Sequence, residues 1–282
     1  MADHTAPTST VAPASVSTTG DVVRQVTVLI GAVLATVAAF LGSGAGGGSQ
    51  VGDGALSADA TPVAPGSGAF SIWSVIYTGL VLYAVWQALP AQREDGRQRR
   101  VGWLVLATML LNALWIGVVQ ADLLPASLAV IAVLLVVLVV TMRRLVEAAP
   151  RGRAEAVVLD GTLGLYLGWV TVATIANTFA VVVAGGVDPR SHAADLAAVG
   201  ALAVAAAAGV MYAVWTRGRL AIGAAIVWGL VWVAVARSTG DLQSTPAAVA
   251  AAGAAVTVFG ATVASRLGAV GRSRRGGVGA SD

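Results

Sequence analysis

Residues 125–142 read PASLAVIAVLLVVLVVTM and stop against Arg143-Arg144. The block carries no charge. A helix of that length covers about 27 Å at 1.5 Å per residue, close to the ~30 Å hydrocarbon layer of a bilayer. In water such a helix would have no polar face to present, so the block predicts a membrane span.

Working outward, similar blocks lie near 22–41, 70–90, 101–120, 161–184, 196–215, 220–236 and 246–265, the seventh of the eight being the shortest. The chain is 57% hydrophobic and only 11% charged, against about 25% charged for soluble domains. Arginine, aspartate or glutamate at the centre of a spanning helix costs about 2.5–3.5 kcal/mol. Apart from Arg24, at the margin of the first span, every Arg, Asp and Glu is expected in a loop or tail. The fold class read from this pattern is all-α: a polytopic transmembrane bundle of about eight spans.

Orientation follows from arginine, since all 17 basic residues are Arg and retained positive charge marks the cytoplasmic side. Arg24, Arg93, Arg97, Arg99, Arg100, Arg143, Arg144, Arg151, Arg153, Arg217, Arg219, Arg266, Arg272, Arg274 and Arg275 fall on one side, with only Arg190 and Arg237 opposite. Both termini are therefore expected inside. The pI near 9.9 comes from arginines spread over several segments rather than one recognition element, which argues against nucleic acid as a partner. There is no cysteine, and His4 and His192 lie far apart outside the spans, so thiolate chemistry and a histidine-based metal site are not expected.

The expected organisation is a mobile tail at 1–21, a five-helix membrane domain at 22–184, a three-helix extension at 185–268 and a basic tail at 269–282. The external segment 42–69 opens with Gly42-Ser43-Gly44-Ala45-Gly46-Gly47-Gly48-Ser49 and closes with Pro62 and Pro65. It reads as a flexible half joined to a stiffer one, either covering a cavity or serving as a solvated connector. Val81-Leu82-Tyr83-Ala84-Val85-Trp86 and Val210-Met211-Tyr212-Ala213-Val214-Trp215 echo each other four spans apart. A parallel four-plus-four duplication would produce this, and so would interfacial Tyr and Trp. Gly164 and Gly168 have the spacing that lets helices approach closely, within the chain or in a homodimer.

Polar and aromatic residues inside the spans carry the functional signal, because an amide in hydrocarbon needs a hydrogen-bonding partner or a ligand. Phe70, Trp73 and Tyr77 share one helical face, Asn112 and Trp115 a second, and Trp169, Ala173 and Asn177 a third. Two arrangements fit. The faces either line a flat aromatic cavity with amide and indole donors at its rim, or bond to one another as inter-helix packing.

The runs Pro65-Gly66 with Phe70-Ser71-Ile72-Trp73-Ser74-Val75-Ile76-Tyr77, Leu111-Asn112-Ala113-Leu114-Trp115 and Trp169-Val170-Thr171-Val172-Ala173-Thr174-Ile175-Ala176-Asn177 resemble, in order and helix number, the TspO/translocator-protein family. Its members are the tryptophan-rich sensory proteins, also known as peripheral benzodiazepine receptors. The resemblance covers roughly 22–184 and implies a five-helix bundle to which three spans are appended. It further implies binding of tetrapyrroles such as protoporphyrin and haem, or of related aromatic molecules, on Phe70, Trp73, Tyr77, Asn112, Trp115, Trp169, Ala173 and Asn177. Val118-Val119 stand where the family has a double aromatic, and Ala176 where it has Leu.

A membrane sensor for flat aromatic ligands is the first functional expectation, with porphyrin or haem as ligand and no required cofactor. A facilitated carrier for a neutral or amphipathic molecule is the alternative. No intramembrane carboxylate, Ser–His pair or metal cluster offers catalysis of its own. High Ala and Arg with no Lys suggests a GC-rich bacterial genome, hence the bacterial cytoplasmic membrane.

Overall fold

Helix starts in this chain are written as caps. Thr18 and Asp21 form a capping box, in which the Asp21 N–H donates to the Thr18 hydroxyl and the Thr18 N–H to the Asp21 carboxylate at 3.0 Å. In the computed structural model, which describes residues 17–45 and 51–278, with side chains to 271, helix α1 (Thr19–Gly42) follows directly. The tail expected at 1–21 is thus described only at its end, where the helix has already begun. The run Gly46-Gly47-Gly48-Ser49 and His4 lie outside the described residues.

Among the described residues seven further long helices follow: α2 (Ile72–Ala88), α3 (Gly96–Gln120), α4 (Leu124–Glu147), α5 (Arg153–Ala184), α6 (His192–Trp215), α7 (Leu220–Thr239) and α8 (Thr245–Val278), each long and apolar enough to cross a membrane, α2 together with the turn Ser67–Ser71 that leads into it. The Asp95 carboxylate caps α3 by accepting from the Arg97 and Gln98 N–H groups at 2.7 and 2.8 Å. Ser191 and Ser244 cap α6 and α8 in the same way. One turn of α5, Ala156–Gly161, widens to a π-helix. The last helix runs through Val278, so most of the segment expected as a basic tail continues α8.

The helices alternate in direction. At one face Arg24 donates to the carbonyls of Gln92 and Arg93, Arg97 pairs with Glu155 and Asp160, and Arg219 pairs with Asp160. This arginine face collects the starts of α1, α3, α5 and α7. At the other, Gln120 donates to the Leu41 carbonyl and the Ser244 hydroxyl to the Asp195 carboxylate. Valines and aromatics such as Val33, Phe40, Val136, Val204 and Phe259 point outward, as hydrocarbon solvent permits.

The helices overrun the apolar blocks at the arginine face. Arg97, Glu155 and Asp160, expected in loops, lie within α3 and α5 and are buried or nearly so. Their charges are compensated in place: Arg97 meets Glu155 at 2.9 Å and Asp160 at 2.7 Å, and also donates to the Leu145 and Ala148 carbonyls. Pairing and added hydrogen bonds make such burial tolerable.

The seventh span is the best enclosed. Half of the apolar window of α7 is buried by other helices, a larger share than in any other span. Glycine makes this possible. A Cβ on Gly164 would stand 2.9 Å from the Ala221 side chain, and one on Gly168 only 2.4 Å from the Ile222 carbonyl oxygen. The close packing expected of Gly164 and Gly168 is therefore realised within the chain, against α7.

The last part of the segment before α2 is enclosed rather than solvated. Residues 61–66 are all buried, and the chain descends along α7, with Arg237 donating to the Ala58 carbonyl, the Gly66 N–H donating to the Trp232 carbonyl and the Trp228 indole donating to the Ala69 carbonyl. From Arg237 to Trp228 is about 13 Å along a helix. Irregular backbone at such depth is tolerated where protein encloses it. A short 3₁₀ turn, Ser67–Ser71, then delivers the chain into α2 inside the bundle.

Candidate functional site

Phe70 ends the descending segment, and Trp73 and Tyr77 follow on the inner face of α2. The Trp73 and Tyr77 rings stack with centroids 5.4 Å apart. Trp169 of α5 meets Phe70 edge-on at 5.8 Å and Trp73 at 6.2 Å. Tyr166, one turn earlier on α5, meets Trp73 at 5.9 Å and donates its hydroxyl to the Thr108 carbonyl at 3.1 Å. From α3, the Asn112 amide donates to the Tyr77 hydroxyl. Five of the eight residues singled out in the sequence thus form one cluster.

Trp115 and Asn177 form a second. The Trp115 indole donates to Asn177 Oδ1 at 3.1 Å, and Asn177 Nδ2 donates to the Ser127 hydroxyl of α4 at 3.1 Å. Three helices are tied by one buried amide. Ala173 is partly buried between Trp169 and Asn177 on α5 and packs against the core.

The two clusters differ in what they leave unpaired. Both polar atoms of the Asn177 amide are engaged. In the aromatic cluster, Trp169 Nε1 and Asn112 Oδ1 are buried with no hydrogen-bond partner, in residues each 1% exposed. Turning the Asn112 amide over would exchange which of its atoms meets Tyr77 and still leave the other alone. The indole N–H has no such freedom, and an unsatisfied buried donor costs about 1–3 kcal/mol.

Two concavities lie outside the cluster, and none of its rings lines either. One, of about 270 Å³, lies between α2, α5 and α7 and is lined by Ser71, Ile72, Val75, Leu165, Ala224, Ala225 and Trp228. Another, of about 290 Å³, opens at the opposite end from the arginine face, between residues 53–56 and the ends of α3 and α5.

The profile of a family described as TSPO-like protein matches residues 23–264. The chain belongs to the TSPO-like protein family. No curated protein and no solved structure matches it. The TSPO-like match runs through α6 and α7 into α8, well beyond the 22–184 stretch that carries the residue resemblance.

Four further residues meet these two clusters or the segment that leads into them. Tyr166 was within reach, since it precedes Trp169 by three residues and so shares its face. Ser127 falls in the first turn of α4, where serine reads as a capping residue. Trp228 and Trp232 lie beyond residue 184 and show their relevance only through contacts with residues 66–69.

Proposed function

We propose that this TSPO-like protein is a membrane receptor for a flat aromatic small molecule, of which a tetrapyrrole such as protoporphyrin or haem is the best chemical fit. The observation that carries the reading is the Trp169 indole N–H, buried and without an acceptor among the rings of Phe70, Trp73, Tyr77 and Tyr166. Aromatic faces stack on a macrocycle, and the indole N–H suits a carbonyl or carboxylate oxygen of the same ligand. Asn112 adds a polar atom beside Tyr77. Trp115, Ala173 and Asn177 frame this site from the next turns and contribute through packing.

Protoporphyrin titrated into the detergent-purified protein, with Trp fluorescence as readout, tests the proposal against Trp73→Phe, Asn112→Ala and Trp169→Phe. Saturable quenching, weakened about tenfold or more by Trp169→Phe in folded protein, is the expected result. Quenching that tracks detergent partitioning and ignores all three substitutions removes the assignment.

A carrier is the second reading, and one observation favours it. Helix α2 begins inside the bundle after an irregular buried segment, as transporter helices broken near a central site do. Flux of protoporphyrin into proteoliposomes separates carrier from receptor. The Ala- and Arg-rich, Lys-free composition favours a bacterial cytoplasmic membrane as its location. For a homodimer, one small-residue face that stays open is that of Gly253 and Gly260 on α8, where an added Cβ would meet nothing within 4 Å.

A further inference from the structure

The aromatic cluster has two walls, Phe70 and Trp73 at the entry to α2 and Trp169 on α5, and α7 touches the supports of both. On the α5 side, Gly164 and Gly168 lie against Ala221, Ile222 and Ala225, and Gly229 of α7 lies against Val172. On the α2 side, Trp228 donates its indole N–H to the Ala69 carbonyl at 2.9 Å, one residue before Phe70. The Trp232 carbonyl accepts from the Gly66 N–H at 3.1 Å. The two indoles meet edge to face at 5.7 Å.

The fit is tight enough to fix a height. A Cβ on Gly68 would stand 2.2 Å from the Trp232 ring, and one on Gly66 3.1 Å from it. Residues 66–69 therefore lie directly on the Trp232 indole, with no room for a side chain between. The Gly66 N–H belongs to irregular backbone, and the Trp232 carbonyl of α7 is its acceptor; the Ala69 carbonyl, which accepts from the Ile72 N–H in the 3₁₀ turn, takes the Trp228 indole as a further donor. Without α7 the Gly66 N–H would lose its acceptor.

We propose that α7 is a positioning element of the ligand site: Trp228 and Trp232 hold residues 66–71 at a set distance from α5, and so fix how the Phe70 and Trp73 rings seat against Trp169. The ligand arm of this inference rests on the receptor reading above; the positional arm does not. The groove between α2, α5 and α7 is the seam the clamp spans, with Trp228 and Val75 on its open, hydrocarbon-facing side. In this arrangement the last three helices complete the site rather than form a separate module.

The test uses the full chain in detergent with four variants: Trp228→Phe, which removes the indole donor and keeps an aromatic ring; Trp232→Leu; Gly68→Ala; and Trp103→Phe as a control, because Trp103 faces outward on α3. Hydrogen–deuterium exchange of a peptide spanning 61–71 reads the clamp, thermal unfolding reads global stability, and protoporphyrin titration reads the site. Trp228→Phe is expected to speed exchange at 66–71 about tenfold and weaken protoporphyrin binding to a similar extent, with the unfolding temperature nearly unchanged. Trp103→Phe should alter none of the three. Exchange that stays at the wild-type rate in Trp228→Phe and Gly68→Ala overturns the clamp whatever the ligand does. Faster exchange with unchanged protoporphyrin affinity overturns the link between clamp and site. Failure of the wild type to bind protoporphyrin saturably rejects the receptor reading instead, and the exchange rates then decide the clamp alone.

Discussion

Asn112 and Asn177 look equivalent in the sequence, each an amide in an apolar helix with a tryptophan on its face or one turn away. Their surroundings separate them. Asn177 spends its amide on Trp115 and Ser127, joining α3, α4 and α5, which is the inter-helix bonding the sequence also allowed. Asn112 reaches only Tyr77. Replacing Asn177 with Leu strands the Trp115 N–H, and inter-helix hydrogen bonds in membranes are worth about 0.6–2 kcal/mol. The expected outcome is a lower unfolding temperature in detergent, with a smaller effect on protoporphyrin affinity than Asn112→Ala. Lost binding at an unchanged unfolding temperature would return Asn177 to the ligand wall. Spacings of three and four made the faces of Trp73, Asn112 and Trp169 legible one helix at a time, and the family resemblance implied that the three faces meet. It could not divide them into staple and site, since that depends on Ser127, whose position in a first helical turn disguises it.

At the scale of the element, the start of α5 shows what charge patterning conceals. Arg97 enters the arginine count that assigns the cytoplasmic side, and Glu155 and Asp160 read only as loop charges, so nothing in that pattern announces pairing across about sixty residues. In the fold, Asp160 sits in the π-helical turn and receives both Arg97 of α3 and Arg219 at the start of α7. Glu155 is held by Arg97, Gln98 and the Arg151 N–H. Arg97→Gln leaves Glu155 without its cation and Asp160 with Arg219 alone, and breaking a buried pair by removing one partner costs about 3–5 kcal/mol. Thermal unfolding should show a large loss for Arg97→Gln and partial recovery when Glu155→Gln and Asp160→Asn are added, because the uncompensated charges are then gone. Equal stability of the single and triple variants would mean that Arg97 acts through its bonds to the Leu145 and Ala148 carbonyls alone. The same limit applies to the segment before α2. Its glycines and prolines allow either a cover or a solvated connector, and the burial of residues 61–66 is imposed by Trp228, Trp232 and Arg237, far along the chain.

For the whole molecule, the eight apolar blocks settled the number of helices, and the arginine bias assigned their direction. The contacts agree internally: the 148–152 turn lies among the arginine-rich ends of α3, α4 and α5, whereas the 185–191 turn lies at the opposite end, between α5 and α6. A chain without cysteine allows this to be tested with single thiols. Ala149→Cys and Val187→Cys both replace exposed residues in these turns, and neither removes a charge that sets orientation. With both ends inside, a membrane-impermeant maleimide added to intact cells should label Val187→Cys and spare Ala149→Cys until the membrane is broken. The reverse pattern would invert the molecule without changing its fold, placing the Arg97, Asp160 and Arg219 network outside. Partial labelling of both in intact cells would mean that the arginines fail to hold a single orientation, even though fifteen of the 17 lie on one side.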